Sequence, residues 1–231
     1  MFLAKGVLGT TAIEGNTLSE EEVLLHLGGN LKLPPSREYL QREIDNIISA
    51  CNDVGVEIFE GRLGEISPEL IMEYNRRVLD GLELEDEETV PGQIRMRAVG
   101  VARYKAAPPK DCGYLLERLC DWLNGPALTV VPQGQVVMYA IIRAVIGHLY
   151  VAWIHPFDDG NGRTARLLEF RVLVASGVPT PTAHLLSNHY NQTRTEYYRQ
   201  LDRASRSGGD VVPFVEYAVR GSSMVFGNNF G

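Results

Sequence analysis

The stretch Val136–Ile154 is a 19-residue run of mostly aliphatic side chains, and it constrains the fold more than any other part of the chain. A run of that length is long enough to cross a bilayer. Its middle, however, holds Arg143, Gly147 and His148, and a charge there costs about 2.5–3.5 kcal/mol in a membrane helix. The run therefore reads as the central helix of a globular core, apolar on every side, and no membrane partner is expected. His155-Pro156 follows at once. Proline disfavours helical backbone at the preceding residue, so the helix should end there.

The chain has 231 residues, of which 45% are hydrophobic and 22% charged. That is enough to bury a full core without staples, and it reads as one domain over 1–231 rather than as a disordered chain. Twenty-two Lys+Arg against 29 Asp+Glu give a net charge of −7, which argues against nucleic acid or an anionic membrane as a general partner. Cys51, Cys112 and Cys120 are odd in number and lack a C-x-x-C spacing. They suggest neither a disulfide framework nor a zinc site, and a reducing, cytoplasmic location is expected. Met1–Leu8 is apolar but carries Lys5 and is not followed by a small-residue cleavage pattern, so no signal peptide is expected.

Most of the chain has helical signals. A first helix over Lys5–Ile13 is terminated by Gly15-Asn16. Ser19 followed by Glu20–Glu22 caps a second, which runs to about Leu27. Ser36 should cap a third, with Tyr39, Ile44, Ile47 and Ile48 on one face, and Ser67-Pro68-Glu69 opens a fourth. Further helices are expected at Cys112–Leu123, Val136–Ile154, Thr164–Ser176 and Thr193–Ser205, with a last one after Pro213. Glu83–Glu88 reads as a solvated acidic loop. Between Gly92 and Pro109, Ile94, Met96, Val99, Val101 and Tyr104 suggest two short strands turning around Ala98–Gly100, with Arg95, Arg97 and Arg103 on the solvated side. The expected class is all-α with a small β-hairpin.

The segment from His155 to Arg166 carries the chemistry. Gly160 and Gly162 permit positive φ, so successive backbone N–H groups can point into one concavity. A helix begins just beyond and adds its own N-terminal N–H groups and dipole. Arg163 and Arg166 share a face of that helix. Asp159 stands beside this anion cradle as a carboxylate suited to Mg²⁺, and His155 titrates near neutrality and suits a general base. Together they fit displacement at phosphorus. Gly160-x-Gly162-x-x-Ala165 also matches the dinucleotide fingerprint, but that motif needs a preceding strand, and no acidic residue lies near position 185. No Gly-Lys-Ser/Thr follows, which excludes a Walker A loop. A plain Gly/Asp-rich turn with surface arginines does not explain so many coincident polar types.

His155-Pro156-Phe157-Asp158-Asp159-Gly160-Asn161-Gly162-Arg163-Thr164-Ala165-Arg166 resembles the Fic family signature H-P-F-x-D/E-G-N-G-R-x-x-R at every fixed position. His148–Ile154, Leu167-Leu168, the stretch from Pro91 to Pro109 and Tyr197-Tyr198-x-x-Leu201 extend the likeness. The resemblance implies a Fic fold, with a catalytic helix–loop–helix over 136–176 and a β-hairpin flap over 91–109. It implies an adenylyltransferase that moves AMP from ATP to a Ser, Thr or Tyr hydroxyl of a target protein and releases pyrophosphate. By the same resemblance His155 is the base, Asp159 holds Mg²⁺, and Gly160, Asn161 and Gly162 line the anion hole. Arg163 contacts phosphates and Arg166 orients the γ-phosphate. Tyr197 and Tyr198 flank the nucleoside, a role that competes with simple core packing. Phe157 anchors the loop. Gly162 stands where a phosphorylating branch of the family has Lys. On the flap, Val99, Gly100 and Val101 offer a strand edge that an extended target segment can join.

A shorter upstream match adds regulation. Thr10-Thr11-Ala12-Ile13-Glu14-Gly15 resembles the family's inhibitory motif S/T-x-x-x-E-G/N, with Thr10 and Glu14 on one helix face. The resemblance makes 1–30 an inhibitory region whose Glu14 pairs with Arg166 and turns ATP into an unproductive pose, and homodimers that bury this face occur in the family. Two alternatives stand beside an autoinhibited transferase. One is a nucleotide-binding regulatory module with little turnover. The other is a deAMPylating enzyme using water positioned by Glu14. His148 is expected to be a packed, hydrogen-bonded core residue, and His26, His184 and His189 lack metal-ligand spacing.

Overall fold

The computed structural model describes residues 2–101 and 104–226. The architecture is all-α. In chain order it runs α1 (Phe2–Ile13), α2 (Glu20–Leu27), a 3₁₀ turn (Pro35–Arg37), α3 (Glu38–Phe59), α4 (Pro68–Val78), β1 (Gly100–Val101), β2 (Tyr104–Lys105), α5 (Pro109–Asn124), α6 (Pro126–Thr129), α7 (Val136–Ile154), α8 (Asn161–Ala175), α9 (Thr180–Ala183), α10 (Leu185–Gln192), α11 (Arg194–Arg206) and α12 (Val212–Phe226).

The apolar run is α7, and it lies at the centre. Ala144, Val145, Gly147, His148, Leu149 and Val151 are fully buried or nearly so, and the exposed residues are those of its first turn (Val136, Val137, Met138). It packs against α8, α5, α12 and α6. A Cβ on Gly147 would already lie 3.4 Å from both Leu123 and Leu168, which explains a glycine inside this helix. α1 shows the same logic. A Cβ on Gly6 would meet the His184 ring at 2.2 Å, and one on Gly9 would meet the Asn188 backbone at 2.9 Å. These two glycines let α1 lie directly on α9 and α10, which fixes where its C-terminal end points.

Helix starts follow local chemistry where caps exist. Ser19 and Glu22 form a reciprocal capping box, and Ser67 accepts from Leu70 N–H at 3.2 Å. Ser36 does not cap α3. It sits in the 3₁₀ turn, the helix starts at Glu38, and the buried face is Leu40, Ile44, Ile47 and Val54, with Tyr39 exposed. α8 starts at Asn161, three residues before the expected Thr164, because Gly160 in the left-handed region turns the chain straight into the helix. The short helices α6, α9 and α10 escaped the periodicity reading. Two of them span four residues and open on proline or on threonine-proline, too brief for a 3.6-residue pattern to show.

The extended pairing among the described residues is two residues per strand, with Gly100 opposite Lys105 and Val101 opposite Tyr104. The pairing is therefore not centred on Ala98–Gly100, and Ile94–Val99 is not strand. Arg103 lies outside the described residues.

Behind α7 the core holds a closed polar network. His148 Nδ1 lies 3.2 Å from Glu169 Oε2, its Nε2 lies 2.9 Å from the Tyr197 hydroxyl, and Tyr190 donates to Glu169 Oε1 at 2.8 Å. Four helices (α7, α8, α10 and α11) are joined by groups that have no water to turn to. Removing one member strands the others. Replacing Glu169 with Ala should destabilise the fold by about 3 kcal/mol, measured by urea unfolding; an unchanged midpoint would show that the network contributes nothing.

Candidate active site

The site begins where α7 stops. His155 is the only non-glycine among the described residues with positive φ (φ 49°, ψ 58°). That conformation costs about 1 kcal/mol or more for an L-residue with a Cβ, so something must hold it. His155 N–H donates to the Val151 carbonyl at 2.9 Å. Arg95 supplies the rest. Its side chain is buried and donates to the carbonyls of His155 (2.7 Å), Arg97 (2.7 Å), Ala107 (2.5 Å) and Ile154 (3.4 Å), and its backbone N–H donates to the Pro156 carbonyl. Arg95 is thus an internal strut that ties the 94–107 segment to the break in α7; it is not on a solvated face. Arg97 too is engaged, pairing with Asp158 at 2.9 Å and with Asp86 of the acidic loop.

The turn is clamped from within. Asn161 accepts from Phe157 N–H at 3.0 Å and donates to the Phe157 carbonyl at 2.8 Å, while the Phe157 ring is buried. The Asn161 side chain is therefore spent on the loop itself. Asn75, from the buried face of α4, donates to the Asp159 carbonyl at 2.9 Å and accepts from Gly92 N–H at 2.8 Å. Gly160 has φ 75°, and a Cβ there would come within 3.0 Å of Asn75 and Leu79. Gly162 is different. It lies inside α8 with no positive φ, and its lack of a side chain makes room for Glu14, whose Oε1 a Cβ would meet at 2.2 Å.

Of the three arginines of α8, the two nearest its start, Arg163 and Arg166, are both buried and both paired with carboxylates. Arg166 Nη2 is bonded to Glu14 Oε1 and donates to the Thr10 carbonyl at 3.1 Å. Thr10 thus acts through its backbone. Burial raises the Glu14 carboxyl, but Arg166, with Arg163 and His155 behind it, outweighs this and leaves it below the usual carboxylate range. Arg163 Nη1 donates to Glu43 Oε1 at 2.9 Å, and its Nη2 lies 3.2 Å from Asp159 Oδ1. Asp159 also accepts from Gly160 N–H at 2.5 Å. Burial lowers the His155 pKa below 6.5 against the opposing pull of the Ala152 carbonyl. Its Nδ1 is buried, which leaves Nε2 for the cleft.

Glu14, Glu43, His155, Asp159 and Arg163 line one cleft of about 880 Å³, with Val99 and Gly100 on its far edge. Tyr198 does not line this cleft; its hydroxyl donates to the Ile13 carbonyl at 3.4 Å. Tyr197 does not flank the cleft with its hydroxyl: the ring is buried and the hydroxyl belongs to His148, so its place is in the core. Among the described residues no group of three His, Cys, Asp or Glu could hold a metal by itself. Sequence reasoning missed Glu43 and Asn75, and it placed Arg95 on the solvated side of the ribbon where the structure buries it. Asn75 alone left a trace, as a polar residue among Ile71, Tyr74 and Val78 on the buried face of an amphipathic helix.

The model of the Fic/DOC family matches residues 65–173. Residues 65–173 form a Fic/DOC family domain. Over 217 residues it is 34% identical to protein adenylyltransferase fic-1 of Caenorhabditis elegans, an alignment covering 94% of this chain and 39% of that protein. It is 28% identical over 211 residues to protein adenylyltransferase Fic of Nematostella vectensis, covering 91% of this chain and 45% of that one. The chain thus spans about two fifths of the length of the curated relatives it matches. Among solved structures, Fic-1 (residues 134–508) of C. elegans superposes with a TM-score of 0.74 at 31% identity, covering 96% of this chain and 60% of that one. A Fic family protein from Desulfovibrio desulfuricans superposes with a TM-score of 0.77 at 23% identity, covering 100% of this chain and 66% of that one; this second likeness is one of fold.

If Arg95 holds the break in this Fic/DOC domain, Arg95→Ala should lower the melting temperature and speed amide hydrogen exchange at residues 154–157 together. Arg95→Lys should not restore either, because one ammonium cannot fork across several carbonyls. Unchanged exchange at 154–157 would remove Arg95 from this role.

Proposed function

We propose that this chain is an autoinhibited protein adenylyltransferase. The observation that carries the reading is that His155, Asp159, Arg163 and Glu14 face one cleft at the N-terminus of α8. A helix N-terminus with two glycines and two arginines suits a triphosphate. The names of the relatives, protein adenylyltransferases in several animals, point the same way.

In this reading a Ser, Thr or Tyr hydroxyl of a target protein attacks the α-phosphorus of ATP. Its proton passes to His155 Nε2, the bond from the α-phosphorus to the bridging oxygen breaks, and pyrophosphate leaves with the bonding pair. The lowered pKa keeps His155 neutral, and so able to accept that proton, at pH 7. In this reading the backbone N–H groups of Asn161 and Gly162 would face the phosphates, with Arg163 beside them, and Gly160 N–H would join them once Asp159 turns to the cation. The donor set around Asp159 fits Mg²⁺, a hard cation content with one carboxylate plus phosphates and water; when bound it would neutralise phosphate charge. The short β1–β2 ribbon, with Val99, Gly100 and Val101, would serve as the flap along which the target segment lies. Three free, buried cysteines support a cytoplasmic placement.

Autoinhibition rests on the Glu14–Arg166 pair, which occupies the guanidinium that would orient the γ-phosphate. Breaking it frees a strong, charge-assisted donor. In assays with α-labelled ATP, Glu14→Gly should raise label transfer by roughly tenfold or more, and adding His155→Ala should abolish it. ATP binding without transfer in Glu14→Gly would instead favour a regulatory nucleotide-binding module. AMP release from a modified target by the unaltered chain would favour the reverse reaction. In Glu14→Gly the rate should fall as pH drops through the His155 pKa, with a midpoint below 6.5, since protonation removes the base and loss of Glu14 removes a charge that favours the imidazolium. An acidic limb that persists in His155→Ala would assign the titration elsewhere.

A further inference from the structure

Glu43 belongs to none of the signature residues, comes from α3, and reaches the cleft from 120 positions upstream of Arg163. We propose that Glu43, braced by Asn16, is a positioning residue that sets the Arg163 guanidinium for the nucleotide phosphates, independently of the Glu14 contact. This inference rests on the adenylyltransferase reading above.

Both oxygens of Glu43 are used. Oε1 accepts from Arg163 at 2.9 Å and Oε2 accepts from Asn16 Nδ2 at 2.8 Å. Asn16 is itself buried and fixed on backbone, donating to the Leu40 carbonyl at 3.0 Å and accepting from Leu18 N–H at 3.0 Å. The brace therefore ends on main chain and not on another mobile side chain. Arg163 has five N–H donors. One at each terminal nitrogen goes to Glu43 and Asp159, and its Nε–H has no partner. The guanidinium is thus held in orientation with donors to spare.

Glu14 and Glu43 look alike as carboxylates on α8 arginines, but their settings differ. The Glu14 side chain is 28% exposed, and Gly15 follows it at φ 104°. Glu43 is 14% exposed, lies in the second turn of a 22-residue helix and has a second anchor in Asn16. A phosphate can displace the first without disturbing the fold. The second is built to stay, and Asn16 keeps it in place even when Glu14 lets go.

The test measures ATP KM and kcat for label transfer, and ATP·Mg²⁺ binding by calorimetry, in the Glu14→Gly background. Adding Glu43→Gln should raise KM and the dissociation constant roughly tenfold with a smaller change in kcat. Arg163→Ala should do the same, and Glu43→Gln on top of Arg163→Ala should add nothing. Asn16→Ala, which keeps the charge pair and removes the brace together with its bonds to Leu18 and Leu40, should shift KM in the same direction by less, and it serves if Glu43→Gln does not fold. Additive effects of Glu43→Gln and Arg163→Ala would overturn the proposal. So would faster transfer by Glu43→Gln with Glu14 intact, which would make Glu43 a second inhibitory group. Absence of His155-dependent transfer in Glu14→Gly would refute the adenylyltransferase reading alone, and calorimetry would still decide the fate of the brace.

Discussion

The structure depends on one backbone event: α7 breaks at His155 and α8 starts six residues later in a new direction. Proline at 156 removes the helical option, glycine at 160 permits the left-handed turn, and the residue between the two elements must sit where L-residues rarely go. The site is what fills the corner so made. An imidazole is thrust off the end of the most buried helix, and the free N–H groups of the next helix open beside it. Nothing about this arrangement tolerates slack, and the surrounding contacts reflect that. Arg95, Asn75 and Asn161 each bond backbone atoms of the turn.

Buried arginines divide into two kinds here. Arg95 and Arg171 are matched by backbone carbonyls, the latter by Gly64. A carbonyl in a fixed segment cannot be exchanged for a ligand, so these are struts. Arg163 and Arg166 are matched by carboxylates. A burial this complete demands a partner for each guanidinium, yet a carboxylate presents the same oxygens that a phosphate does. The chain therefore keeps its functional arginines folded and paired in the absence of nucleotide, with partners that resemble what the arginines are meant to bind. Autoinhibition and stability are served by the same contact at Glu14.

What the sequence disclosed follows from how local each cause is. The Val136–Ile154 run, the break at His155-Pro156 and the Ser19 cap are written in neighbouring residues, and each appears in the structure, whereas Glu14, expected on the same helix face as Thr10, lies in the turn just past the end of α1. The arginine–glutamate pair across 152 positions came from resemblance to a family and not from periodicity. Glu43, Asn75 and Arg95 were illegible because each acts on a partner at least 17 positions away, and a charged or amide side chain on an amphipathic helix looks the same whether it faces water or a buried turn. Arg95 was misplaced for that reason. Tyr197 was divided between two readings, and the buried hydrogen bond to His148 decided for the core. The ribbon was set in the wrong register because alternating apolar residues at 94–101 fit a strand, while Arg95 pulls the first half of that segment onto the α7 terminus instead.

The most direct measurement is a crystal structure of the Glu14→Gly chain with Mg²⁺ and a non-hydrolysable ATP analogue. The account predicts the triphosphate on the N-terminus of α8, with its γ-phosphate bonded to Arg166 and His155 Nε2 facing the α-phosphorus on the side away from the β-phosphate. A nucleotide seated elsewhere in the cleft, or an α-phosphorus turned away from His155, would contradict it.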